Sequence, residues 1–130
     1  MWAMAGAGAH RADLLRTYFD EAGAGSSIPL LLWCNSAGGE PLPVDLVAEL
    51  AARDRVVGLK NDDHPFYYYY DLCRATQDLD FAVLSGGQMR NFVLGYQLGS
   101  TGYLCTMAPF RPGVALAFMV MVALGGDGRN

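Results

Sequence analysis

Val56-Val57-Gly58-Leu59-Lys60, followed by Asn61-Asp62-Asp63-His64-Pro65, is the stretch that decides how this chain is read. Two valines, a glycine and a leucine in succession predict a short, fully buried strand. A lysine stands where that strand should end, before a polar turn. Lys60 is the single lysine among 130 residues, so the other eight of the nine basic residues are arginine. An ammonium at the end of a buried strand is costly unless it is paired or used. Two readings follow. One is a strand-end lysine whose head reaches solvent. The other is a partly desolvated amine, neutral often enough to attack a carbonyl and form a Schiff base.

The segments on either side repeat one pattern. Upstream, residues 28–34 (Ile-Pro-Leu-Leu-Leu-Trp-Cys) form a continuous apolar run with proline near its start, where a strand tolerates it. Residues 35–41 are a glycine-containing loop. Pro43 suits the first turn of a helix reaching about Arg53, with Leu46, Val47 and Leu50 as its buried stripe. Downstream, Asp62 or Asp63 is a candidate cap for a helix with Pro65 in its first turn. That helix carries Phe66 and the four tyrosines 67–70, some facing the sheet and some outward. Residues 81–85 (Phe-Ala-Val-Leu-Ser) are the third strand, Gly86-Gly87 a turn, and residues 88–98 a helix. A fourth strand is expected over residues 101–107, and a buried helix between Pro109 and Leu124. Ahead of all these, Leu14, Leu15, Tyr18 and Phe19 recur at helical spacing within residues 10–22.

The chain thus reads as a helix followed by four strand–helix units, with strands beginning near residues 28, 56, 81 and 102. Alternation of apolar strands with helices implies an α/β fold with a parallel sheet. Two architectures fit: a small doubly wound sheet, or four of the eight units of a (β/α)8 barrel. In both, the working face lies at the strand C-termini, where Cys34/Asn35, Lys60, Ser85/Gly86 and Met107/Ala108 emerge. The expected organisation is a disordered leader over residues 1–9, one domain over residues 10–124, and a tail over residues 125–130.

Composition narrows the function. Hydrophobic residues make up 52% of the chain and charged residues 17%, with a net charge of −4 and no basic cluster. Nucleic acid and anionic membrane surfaces are poor partners for such a surface. The longest apolar run, residues 114–124, is too short to span a bilayer. Cys34, Cys73 and Cys105 are odd in number and lack a Cys-x-x-Cys spacing, which favours free thiols and a reducing, cytoplasmic compartment. His10 and His64 have no partners at metal-ligand spacing.

Several stretches together resemble the dihydrodipicolinate synthase / N-acetylneuraminate lyase family. Val57-Gly58-Leu59-Lys60-Asn61-Asp62 is similar to the family's lysine strand. Residues 28–35, ending Trp33-Cys34-Asn35, are similar to its fifth strand, which usually ends Tyr-Asn. Leu42-Pro43 and residues 46–51 resemble the intervening helix, residues 81–86 the seventh strand, and residues 98–103 the glycine-rich approach to the eighth. The resemblance spans residues 10–124 in family order and implies a partial TIM (β/α)8 barrel, strands 5 to 8, without strands 1 to 4.

What the resemblance implies chemically is a class I aldolase or lyase. Lys60 condenses with the ketone of pyruvate or another 2-oxo acid, and the imine serves as electron sink; no metal or other cofactor is needed. Asn35, Ser85, Gly86 and Gly87 would line the substrate pocket, with backbone N–H groups near the glycines facing a carboxylate. The family's proton-relaying tyrosine has no counterpart here. Trp33 and Cys34 stand around its position, and Cys34 is the candidate relay, since an indole N–H cannot carry a proton as a phenol does. A half barrel would leave parallel edges and an apolar inner face unpartnered. That implies a homo-oligomer or a complementary N-terminal half. The alternative is a catalytically inactive half-barrel kept as an assembly or binding module. A flavodoxin-like domain is a third reading, but residues 35–39 form no defined phosphate motif.

Overall fold

The computed structural model of the chain describes residues 2–4, 12–35, 40–62 and 65–125. Five strands and five helices alternate: β1 (Trp2–Met4), α1 (Ala12–Ala24), β2 (Leu30–Asn35), α2 (Val44–Ala51), β3 (Val56–Asp62), α3 (Phe66–Thr76), β4 (Ala82–Ser85), α4 (Met89–Leu98), β5 (Gly102–Tyr103) and α5 (Pro112–Ala123). The sheet order is β1-β2-β3-β4-β5, every pair parallel. A doubly wound sheet must reverse its strand order to place helices on both faces. Here the order never reverses, so same-handed crossovers carry successive helices onto one face. Of the two architectures compatible with the sequence, this is the segment of a (β/α)8 wall.

One residue decides which side chains face which way. Leu30 pairs with Val56, but Leu31 pairs with Gly58, so Val57 is passed over. After that slip the pleat runs true. Leu32, Leu59 and Val83 lie side by side beneath the helices and are essentially without solvent contact. Leu15 and Phe19 of α1, Leu46, Val47 and Leu50 of α2, and Tyr69 and Leu72 of α3 complete that core. The opposite face carries Leu31, Gly58 and Ala82 in one row and Trp33, Lys60 and Leu84 in the next. Gly58 fits a tight place: an added Cβ would meet the Ala82 carbonyl oxygen at 2.6 Å and the Leu31 side chain at 2.8 Å.

Several boundaries differ from those read in the sequence, each for a physical reason. β3 does not end at Lys60 but runs on to Asp62, because Asn35 and Ser85 continue the ladder on both sides. Asp62 is therefore a strand residue and not a helix cap; α3 begins after Pro65 without a side-chain cap, and Asp63 lies outside the described residues. The fourth expected strand is cut to Gly102–Tyr103. Beyond it the backbone folds into turns, with Ala108 N–H bonding to Cys105 O and Arg111 N–H to Met107 O. The last helix is not buried as its apolar sequence suggests. It packs beside α4, where Phe118 meets Phe92 and Tyr103, and only Ala115 and Val122 are buried, while Leu116 is 64% exposed. Within the expected leader, Trp2–Met4 forms a short strand against the β2 edge. An open strand edge offers unpaired N–H and C=O groups for such an addition. Residues 5–11 and 126–130 lie outside the described part.

Candidate active site

Lys60 and Asp62, two apart on one strand, project from the same face of β3. The Lys60 ammonium lies 2.5 Å from Asp62 Oδ2, and the two side chains are 12% and 10% exposed. Trp33, directly across the β2–β3 ladder, donates its indole N–H to the same Oδ2 at 2.6 Å. Its ring also lies beneath the ammonium, with Nζ 4.5 Å from the centroid. One tryptophan thus supports both charges, the cation through its π-face and the anion through its N–H. Among the described residues, Asp62 Oδ1 is buried with no hydrogen-bond partner. It rests against Gly86, where any Cβ would overlap Oδ1 and crowd Lys60 Cε. Only glycine lets β4 pass the ion pair this closely.

The candidate residues named from the sequence separate across the sheet. Lys60 and Gly86 come together. Asn35 pairs in register with Asp62, at the same end of the sheet. Ser85 does not join them: it faces the helices, fully buried, 2.6 Å from the Tyr69 hydroxyl and 3.0 Å from the Ser100 hydroxyl. Ser100 in turn donates to Val83 O, which ties α3, β4 and the approach to β5 into one satisfied polar cluster. Gly95 of α4 leaves the space that cluster needs, since a Cβ there would press on both the Ser85 and Tyr69 oxygens. Nor does the Gly86 N–H face a carboxylate; it donates to Asn61 O at 2.9 Å within the ladder. The Gly87 carbonyl accepts from the Tyr103 hydroxyl at 3.1 Å, and its positive φ of 69° is the turn conformation that glycine adopts freely.

Cys34, the candidate relay, also lies on the helix-covered face. Its sulfur accepts the Leu42 N–H at 3.2 Å and lies 3.5 Å from the Tyr68 hydroxyl. Burial pushes the Cys34 thiol upward, against the opposing pull of those two hydrogen bonds, and burial also raises Tyr68. Of the two residues standing where the family carries its tyrosine, Trp33 is the one beside Lys60. Sequence reasoning missed both Trp33 and Asp62 as neighbours of the lysine. The Lys-x-Asp spacing on a strand held the signal for Asp62; Trp33 became legible only with the register.

No family model matches the sequence. Among curated proteins, the chain is 30% identical over 114 residues to the 4-hydroxy-tetrahydrodipicolinate synthase of Methanosarcina mazei, and 29% identical over 114 residues to that of Methanosarcina acetivorans. Each match takes in 87% of this chain and 38% of the relative, so the chain spans about two fifths of the length of the proteins it matches. Its fold superposes on the dihydrodipicolinate synthase of Aquifex aeolicus with a TM-score of 0.83 at 16% identity, covering 96% of this chain and 43% of that one. For the 4-hydroxy-tetrahydrodipicolinate synthase of Methylacidiphilum fumariolicum SolV the TM-score is 0.82 at 22% identity, covering 96% and 42%. A 2-keto 3-deoxygluconate aldolase from Picrophilus torridus shares the fold as well, at a TM-score of 0.76. Sequence similarity and strand order agree: the chain is similar to the dihydrodipicolinate synthase family over about two fifths of its relatives' length, consistent with the C-terminal half of that family's barrel.

Proposed function

We propose that this chain is the lysine-bearing part of a Schiff-base lyase or aldolase acting on pyruvate or another 2-oxo acid. The observation that supports this most is the setting of Lys60, the single lysine, largely shielded from water on the sheet face that the helices leave open. The ammonium gives up a proton, the amine adds to the ketone carbon, and loss of water leaves an iminium that withdraws electrons from the neighbouring carbon. Asn35 and the β4 end near Gly86 and Gly87 border the space where the acid would lie. The selectivity for a second substrate belongs to the walls that β1 to β5 do not supply.

The proposed partner is a second copy of the chain or a complementary N-terminal half, closing the open face and the strand edges. The apolar exposure around α5 supports such a partner, with Phe110 82% and Leu124 81% exposed. The three free cysteines support a reducing, cytoplasmic setting; no helix among the described residues is long and apolar enough to cross a membrane. The same exposed surface favours the second reading, a half-barrel that only assembles or binds. Borohydride reduction in the presence of pyruvate separates the two. A mass gain on the folded wild-type chain that is lost in Lys60→Arg supports the Schiff base; a folded chain without the gain leaves the assembly module.

A further inference from the structure

The Schiff-base reading leaves a chemical question that the open face itself answers: what carries the proton that Lys60 must lose and the carbinolamine must gain. We propose that Asp62 is that carrier, in the place where the family resemblance leads one to look for a tyrosine. The inference rests on the Schiff-base reading and deepens it.

Among the described residues, the groups beside Lys60 Nζ are few. Trp33 offers an indole N–H, which neither takes up nor releases a proton near neutral pH. Leu84 and Gly86 offer no titratable side chain. The thiol of Cys34 and the phenol of Tyr69 face the helices on the far side of the sheet. Cys34 and Tyr103 are near enough to feel the Asp62 charge, and burial raises both; the Tyr103 hydroxyl is committed to the Gly87 carbonyl. Asp62 Oδ2 is at 2.5 Å, within the reach that proton transfer requires. Among the described residues Asp62 Oδ1 meets no donor, so the compensation they give the carboxylate falls on Oδ2 alone. Transfer of one proton across the short contact removes both buried charges at once.

The steps balance around this group. Lys60–NH3+ passes a proton to the Asp62 carboxylate, giving amine and carboxylic acid. The nitrogen lone pair forms the N–C bond while the carbonyl π-pair moves to oxygen. That oxygen takes the Asp62 proton, and the N–H that has become acidic returns a proton to Asp62. The carboxylic acid then protonates the hydroxyl. Water departs as the nitrogen lone pair closes the C=N bond, leaving the iminium and the Asp62 carboxylate restored. Trp33 is a positioning residue here, holding Oδ2 against Nζ through its N–H.

The test is the rate at which pyruvate is trapped on Lys60 by cyanoborohydride in the full chain, followed by intact mass. Asp62→Asn keeps an acceptor for the Trp33 N–H but cannot shuttle a proton, and is expected to slow trapping by about 100-fold or more, in keeping with general acid–base contributions. Asp62→Ala is expected to be equally slow and to recover when formate is added, whereas Lys60→Arg does not recover. Formate rescue is the readout that a merely structural Asp62 would not give. It also decides the matter if Asp62→Asn fails to fold. Trapping by a folded Asp62→Asn within about threefold of wild type, or an Asp62→Ala that formate leaves slow, overturns the proton-carrier role while the Schiff-base reading stands. A wild-type chain that is folded and never trapped overturns both.

Discussion

The two faces of one short sheet differ in what they have been given to do. On the helix-covered face, Leu32, Leu59 and Val83 form a dry row, beyond which the Ser85, Tyr69 and Ser100 hydroxyls bond to one another, while Asn61 Oδ1 beside Ser85 is buried without a partner among the described residues. On the open face, the row one residue along holds Trp33, Lys60 and Leu84, with a buried charge pair and a carboxylate oxygen that has no partner among the described residues. The faces differ in charge: a buried ammonium and carboxylate lie side by side on the open face, where the helix-covered face holds neutral hydroxyls and an amide.

Variants can sharpen or break that contrast. The largest effect is expected from Lys60→Arg, which keeps a cation for Asp62: adduct formation is abolished while urea unfolding remains close to wild type. Retained adduct would move the chemistry to another amine. On the other face, Leu59→Ala should cost about 2–5 kcal/mol of stability, as for buried leucines elsewhere, measured by urea denaturation, with the remaining folded chains still trapping pyruvate. Gly86→Ala strikes the open face itself, since its methyl would overlap Asp62 and Lys60. We expect roughly 1–3 kcal/mol of destabilisation from overpacking, together with slower trapping. Tyr69→Phe removes one hydroxyl from the saturated cluster and should cost about 1–2 kcal/mol with trapping unchanged; a change in trapping would show that the faces are not independent. The smallest effect concerns Cys34. With its thiol raised by burial, the thiolate is scarce at neutral pH, so alkylation of native Cys34 is expected to lag behind that of the part-exposed Cys105, with the gap closing on unfolding.

Much of the fold was legible in the residues because it rests on alternation. Apolar runs and capping prolines marked β2, β3 and β4 and the helices between them, and Leu46, Val47 and Leu50 were read correctly as the buried stripe of α2. The tyrosine run divides as expected, with Tyr69 buried and Tyr67 outward. The site was harder to read because it depends on parity, and parity depends on a single slip at Val57 that no composition reports. That slip fixes which of Trp33 and Cys34 stands beside Lys60. Ser85 lies beneath the helices because it pairs with Asn61 and not with Lys60. Of the two cap candidates, Asp62 and Asp63, Asp62 is held elsewhere: a carboxylate before a proline-led helix resembles a cap, but its pairing with Asn35 keeps Asp62 in the ladder. The apolar sequence of α5 promised burial, but burial needs a neighbour on each side, and within the described residues α5 lies at the end of the row.

The central claim is that the open face carries reactive chemistry through Lys60. The measurement that meets it most directly is peptide mapping of the wild-type chain after borohydride reduction with pyruvate. Because Lys60 is the single lysine, the account expects the reduced adduct on the one peptide that contains it. An adduct confined to the N-terminal amine, or none on a folded chain, would contradict the account and leave the ion pair of Lys60 and Asp62 as a feature of assembly alone.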